Sequence, residues 1–342
     1  MNKIIDTPTF FDNNDNLGVI LNYNKAINKL NDIVDWNIFL PTIEKCFYIE
    51  NRGVGGRPHF DYILMFKILI LQKLYNLSDE EIIFQIYDRL SFKNFLGISN
   101  KIPDKNTLWN FRETLIKHNV ENKLFNLFLN QIKKKNITLS EGTIVDATFV
   151  NVPKQRNTRD ENEDIKNGKM PDSWDNEHKI SQKDTDASWT KKRSEVFFGY
   201  KNHIKIDKTN KLILKYNITT AKVHDNQVID KLVDRTDNEV YADAGYIGTE
   251  DRLPKTTAKF ICKRGFRNHP LSHEDQENNR TISKVRCRIE HVFATIKTSM
   301  NNAMNIRSIG INRAKFNVAL TNLAYNMLRL KFIMFNTSMG KF

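Results

Sequence analysis

Residues 143–152 read Thr-Ile-Val-Asp-Ala-Thr-Phe-Val-Asn-Val, an alternating run rich in β-branched side chains that predicts a strand. Asp146 sits inside it, flanked by Ile144, Val145 and Ala147. A carboxylate in such a setting must be paired, hydrogen-bonded or bound to metal. Asp243 has a similar setting at the end of a second predicted strand, in Val240-Tyr-Ala-Asp-Ala-Gly245. The glycine lets the chain turn and leaves the carboxylate at the strand's C-terminal edge, where ligands bind in open α/β sheets. Either aspartate alone reads as structural. Two of them on apolar strands of one domain point to a site for a hard cation.

The third candidate, Glu290, lies in Arg286-Cys-Arg-Ile-Glu-His-Val-Phe-Ala-Thr-Ile-Lys297. At about 100° per residue, Ile289, Val292, Phe293, Ile296 and Met300 share one face, which should pack on the sheet. Arg286, Glu290 and Lys297 fall in a narrow stripe beside it. An exposed Arg286–Glu290 ion pair is the plain alternative, worth tenths of a kcal/mol. Three carboxylates can instead hold two divalent ions roughly 3.5–4 Å apart, the arrangement that serves in-line phosphoryl transfer. Mg²⁺ suits such a site because it takes oxygen ligands and keeps several waters, and Mn²⁺ is a plausible substitute. Arg286 and Lys297 are placed to hold phosphate oxygens nearby.

Outward from this centre the chain changes character. Residues 57–118 predict several short helices joined by tight turns. Pro58 suits a first helical turn, Ser78 with Glu81 forms a capping-box pattern, and Asp104 is a good N-cap. The pattern fits a helix-turn-helix unit as well as an ordinary helical bundle. Lys105, Trp109 and Arg112 would then face DNA phosphate or form a solvated face. Upstream, Tyr23 to Asp35 reads as mixed helix, and Gly53, Gly55 and Gly56 as a flexible loop. Residues 153–195 are polar with few aliphatic side chains, and predict a long mobile insertion. Within it Trp189, with Lys191, Lys192 and Arg193, reads either as a stacking and tracking surface for a DNA strand or as a solvated charge run. After it come strands at Tyr200–Ile206 and Leu212–Thr219, a short helix at Asp225–Val233, strands at Glu239–Ala242 and Lys259–Cys262, and helices at about Glu274–Met300 and Asn312–Phe335. That order indicates a mixed α/β domain.

The 342 residues carry 53 Lys and Arg against 40 Asp and Glu, a net charge of +13. The excess argues for a polyanionic partner, nucleic acid above all. The most apolar stretch, Tyr62 to Leu71, is interrupted by Lys67 and is too short for a membrane span. Met1 to Asn16 contains three Asp residues and no apolar core of a secretory signal. Cys46, Cys262 and Cys287 are distant and odd in number, so a disulfide framework is not expected and a cytoplasmic location is. Cys262, His269, His273 and Cys287 lack the regular spacing of a zinc site. His203 and His224 read first as hydrogen-bonded structural histidines.

Several stretches together resemble bacterial insertion-sequence transposases of the DDE class, most closely insertion sequence family five. They are Leu77-Ser-Asp-Glu-Glu, Asp88-Arg-Leu-Ser-Phe, Phe95-Leu-Gly, Pro103-Asp-Lys-Asn-Thr-Leu with Phe111-Arg, and Ile144-Val-Asp-Ala-Thr. Further on they are Asp184-Thr-Asp-Ala-Ser-Trp-Thr-Lys-Lys, Gly199-Tyr-Lys-Asn-His, Val223-His-Asp-Asn, Ala242-Asp-Ala-Gly-Tyr and Arg286 to Lys297. The resemblance implies an N-terminal extension at 1–56, an all-α, helix-turn-helix-like DNA-binding domain at 57–135, and an RNase H-like catalytic domain with a mixed five-stranded sheet at 140–335. It also implies Asp146, Asp243 and Glu290 as a metal-binding triad, double-stranded DNA with terminal inverted repeats and target DNA as partners, and a homo-oligomer on DNA. The family's last motif places a tyrosine where this chain has Ser283. Two rival expectations are a DNA-binding derivative that no longer catalyses and a nuclease on the same fold.

Overall fold

The computed structural model describes residues 27–48, 59–98, 101–135, 137, 139, 142–174, 176–192, 194–267 and 269–336. The expectations for Met1–Asn16, for Gly53, Gly55 and Gly56, for Pro58 and for Arg193 lie outside them. These residues form two compact units, one of those up to 131 together with 327–336 and one of those from 132 to 326.

The first unit is helical. In chain order its helices are α1 (Lys29–Ile33), α2 (Leu40–Phe47), α3 (Tyr62–Tyr75), α4 (Asp79–Asp88), α5 (Leu90–Leu96), α6 (Lys105–Lys117) and α7 (Glu121–Lys134), the last running into the second unit. Local chemistry sets their ends. Asp61 accepts the Leu64 N–H at the start of α3, and Asn76 closes it in the left-handed conformation, φ 51°. Asp104 caps α6 by accepting from Thr107 N–H. Ser78 caps α4 through the Glu81 N–H, but the Glu81 carboxylate turns to the Gln85 amide at 2.6 Å, so only half of the expected capping box forms. Phe39, Phe66, Leu69, Leu71, Phe95, Leu108 and Leu115 are buried among these helices.

The second unit is built on a mixed sheet. Strands β1 (Gly142–Asn151), β2 (Ser188–Lys192), β3 (Glu195–Asp207), β4 (Ile213–Thr220), β5 (Glu239–Ala242) and β6 (Ala258–Ile261) take the order β2-β3-β1-β5-β6, with β4 also on β3. The β1-β3-β4 meander is antiparallel, and β5 and β6 continue in parallel from β1. A meander followed by parallel strands on its far side is the RNase H-like arrangement. The long strand β3 pairs with β2 up to Gly199 and with β4 from Tyr200 onward. Gly199 holds φ +143°, and a Cβ there would stand 2.2 Å from the Val150 carbonyl oxygen. Only glycine permits that approach.

Helix α11 (His273–Thr298) packs on β1 and β5 with Ile289, Val292 and Ile296 fully buried; here α8 is Arg159–Lys166, α9 Glu177–Ser181 and α10 Ile229–Leu232. Helix α12 (Ile311–Asn336) sends Asn322 to Asn202 and Asn326 to the backbone of Ile213. On the other side Val145, Val240 and Ala242 form a core with Ile229, Leu232, Tyr246 and Leu253.

The polar stretch 153–195 corrects an expectation. It contains α8, α9 and β2 rather than one structureless loop. Its organiser is Trp174, 2% exposed, whose indole N–H donates to Glu161 at 2.8 Å. Glu161 also completes a capping box with Thr158 and accepts from Ser173. One large aromatic and one carboxylate with several donors order a segment that has few aliphatic side chains.

Candidate active site

Asp146 and Asp243 meet at the sheet's edge because of register. Strands β1 and β5 are parallel, with Thr143 opposite Val240 and Ile144 opposite Tyr241. Carried two residues past the last pair, that register brings Asp243 toward Asp146, and the Asp243 charge acts on the Asp146 carboxyl. Asp243 follows the last residue of β5 and caps a short 3-10 turn, accepting from the Gly245 N–H at 2.8 Å. A side chain at 245 would put its Cβ 2.9 Å from the Asp243 Oδ1, so glycine keeps that carboxylate in place.

Asp146 accepts from the Ala147 N–H at 2.7 Å and faces Arg286 Nη2 at 3.5 Å. Its side chain is 19% exposed. Burial pushes the Asp146 carboxyl up to about 6, with the Asp243 and Asp225 charges adding to the rise and the Ala147 N–H and Arg286 opposing it. Tyr246 lies beneath, fully buried, and its hydroxyl has no hydrogen-bond partner among the described residues. Burial raises that hydroxyl well above its usual range, and the Asp146, Asp225 and Asp243 charges add to it.

The carboxylates and their neighbours fit a small divalent cation. Both donors are hard oxygens, they repel one another, and a cation would relieve the burial and repulsion that hold Asp146 high. Two carboxylates are enough for Mg²⁺, which is usually held by one or two of them with water and phosphate completing its shell.

Glu290 is exposed on α11, next to buried Ile289, one turn and about 6 Å along the axis from Arg286. Among the described residues no group of three or more His, Cys, Asp and Glu is placed to hold a metal ion, and that includes the Cys262, His269, His273 and Cys287 set. The stripe that carries Glu290 presents Arg286 to Asp146. The Arg286–Glu290 surface pair is not the arrangement, since Arg286 pairs with Asp146. Lys297 is exposed two turns further on.

Asp225, Lys201 and Tyr246 carry more of the site than the sequence reading assigned them. Asp225 accepts from Lys201 Nζ at 3.0 Å, and Lys201 also donates to the Val223 carbonyl. His203 Nδ1 lies 3.7 Å from Asp225 and its Nε2 contacts the Thr219 hydroxyl at 2.8 Å. Burial lowers the His203 pKa to about 4, so the ring is neutral at pH 7. The signal for them lies in the runs Val223-His-Asp-Asn and Gly199-Tyr-Lys-Asn-His, where the sequence reading singles out only the histidines.

The expected DNA-contact residues divide. Trp109 on α6 is 45% exposed, as is Trp189 on β2. Lys191 and Lys192 are exposed, and Lys192 lies over the Phe149 ring at 5.9 Å. Lys105 makes an exposed ion pair with Glu80. Arg112 grips Asp79 with two bonds of 2.6 and 2.7 Å and is only 13% exposed. It locks α6 to α4.

Residues 137–327 match the family model of the transposase DDE domain, and residues 16–114 match a second model described as a transposase domain. Among solved structures, a cryo-EM structure of piggyBac transposase in a synaptic complex with hairpin DNA is similar at TM-score 0.45 and 12% identity, over 91% of this chain and 74% of that one.

Proposed function

The chain belongs to the transposase DDE domain family, and on that premise we propose that it cuts and joins DNA at the terminal inverted repeats of an insertion sequence. The observation that carries this reading is the closeness of Asp146 on β1 to Asp243 just past the end of the parallel strand β5, each charge acting on the other, with Arg286 against the first.

In this reading Asp146 and Asp243 hold Mg²⁺, or Mn²⁺ in its place, and Glu290 completes the set on DNA. The bound cations would activate the attacking oxygen and stabilise the leaving one. Water first attacks a phosphodiester at the element's end, breaking a P–O bond and freeing a 3′-hydroxyl. That hydroxyl then attacks a target phosphodiester, and one P–O bond replaces another. Arg286 and Lys297 hold non-bridging phosphate oxygens, since a guanidinium fork suits them and an ammonium supplies a point charge. Asp225, through Lys201, fixes the floor of the site. Residues 57–135 would form the DNA-binding domain after an extension at 1–56, with Trp109 among the contacts, and residues 140–335 the catalytic domain. Trp189, Lys191 and Lys192 would track a DNA strand. Two ends must be handled together, so a homo-oligomer on DNA is part of the reading, in the bacterial cytoplasm at the nucleoid. Among the described residues no helix is long and apolar enough to cross a membrane.

One observation favours a second reading. Ser283 stands where the family's last motif has a tyrosine, as expected of a DNA-binding derivative that does not catalyse. Labelled DNA bearing the element's own ends separates the two, with Mg²⁺ or Mn²⁺ against EDTA and wild type beside Asp146→Ala and Glu290→Gln. Metal-dependent joined products lost in both variants are expected. Specific end binding with no cleavage under any metal would establish the derivative, and nicking without joining would indicate a nuclease.

A further inference from the structure

A cavity of about 400 Å³ opens where β1 ends and β3 begins. Its lining includes Asn151, Lys154, Glu195, Phe197 and Asn305. The Phe197 ring is stacked on Phe149 with centroids 4.1 Å apart and planes 10° from parallel. Lys192 and Lys201 lie over the Phe149 ring at 5.9 and 5.5 Å, and Lys154 is exposed at the cavity. Asn151 Nδ2 donates to Asn305 Oδ1 at 3.0 Å, which fixes both amides and leaves one acceptor and one donor unused by that bond.

We propose that this cavity is a subsite for one unpaired nucleotide of the DNA strand that the active site handles. Each part of the lining matches a part of that ligand. The Phe197 ring, backed by Phe149, is a stacking platform for a base. Asparagine amides offer the donor and acceptor pattern that base edges present. Glu195 accepts from an exocyclic amine, and Lys154 meets the phosphate. The volume falls within the range of small-ligand sites. Position also agrees: Asn151 is five residues along β1 from Asp146, about 17 Å, so a strand leaving the aspartate pair along β1 reaches the cavity within a few nucleotides. The inference rests on the reading of the site as one that processes DNA strands, but its test does not depend on cleavage.

The test is equilibrium binding of the full-length protein, in EDTA, to a twelve-nucleotide single strand and to a strand of the same length made only of abasic units. Phe197→Leu keeps an apolar partner for Phe149 and removes the platform. It should weaken binding of the natural strand about tenfold while leaving the abasic strand unchanged, and Phe197→Tyr should restore wild-type binding. Deoxythymidine monophosphate at equal base concentration should compete poorly. Equal binding of the natural strand by wild type and Phe197→Leu would overturn the proposal, as would an equal loss on both strands. Tight competition by the mononucleotide would also overturn it, since the cavity would then serve a free nucleotide. Active cleavage with any of these outcomes leaves the transposase reading standing and removes the subsite.

Discussion

At Asp146 a carboxylate is held among apolar side chains with Asp243 beside it. The Ala147 N–H and Arg286 offset only part of the burial, which is why its pKa rises to about 6. A rise from 3.8 to about 6 corresponds to roughly 3 kcal/mol at neutral pH. Asp146→Asn should therefore abolish catalysis and stabilise the metal-free protein, by up to about 3 kcal/mol in urea unfolding at pH 7 with EDTA. Lower stability of the variant would mean that the carboxylate is better solvated than its surroundings suggest. The neighbouring Gly245 gives a second prediction. Gly245→Ala forces a Cβ to within 2.9 Å of the Asp243 Oδ1, and either atom must move. Divalent-metal affinity should fall about tenfold, the usual effect of disturbing a group that orients a metal ligand, with little change in the unfolding midpoint. Unchanged affinity would show that Asp243 has freedom the turn does not reveal.

Among the elements, β1 and β5 were legible because their residues alternate or run apolar between turn signals, and their carboxylates stand out against that background. Register was not legible: nothing in Val240-Tyr-Ala-Asp243 says which residue of β1 it faces. The edge strand β2 escaped notice because Ser188-Trp-Thr-Lys-Lys192 lies in a polar segment and is recruited by β3. Arg112 shows the same limit at the helices. From sequence it shares a polar face with Lys105 and Trp109, and only packing of α4 on α6 brings Asp79 to it. Burial costs the Asp79 carboxyl, yet the Arg112 bonds outweigh it and hold its pKa below the usual value. Arg112→Leu should destabilise the helical unit by roughly 2–4 kcal/mol, because it leaves a largely buried carboxylate without its partner. The double variant Arg112→Leu, Asp79→Leu should recover much of that loss. A folded Arg112→Leu protein of wild-type stability with much weaker DNA binding would place Arg112 among the DNA contacts.

Over the whole molecule two buried groups give opposite pH dependence across the same range. Asp146 binds its proton more tightly when folded, so its contribution is fully present below about 3.8 and is lost as the pH rises through about 6. His203 is lowered from 6.5 to about 4, so its contribution is present above 6.5 and is lost as the pH falls through about 4. Each amounts to roughly 3 kcal/mol, and in the wild type the two nearly cancel between pH 4 and 6.5. Relative to wild type, Asp146→Asn should lose stability on acidification and His203→Gln should gain it, measured by urea unfolding in EDTA. Parallel profiles for all three proteins would remove one or both groups from the account.

The central claim is that Asp146 and Asp243 together are the seat of the catalytic metal. Titration of the protein with Mn²⁺, followed by electron paramagnetic resonance of the free ion, tests it without DNA or turnover. Wild type should bind Mn²⁺ at a site that Asp146→Asn and Asp243→Asn each weaken at least about tenfold, while Glu290→Gln weakens it less. Binding that survives both aspartate substitutions unchanged would contradict the account, because the metal would then sit elsewhere.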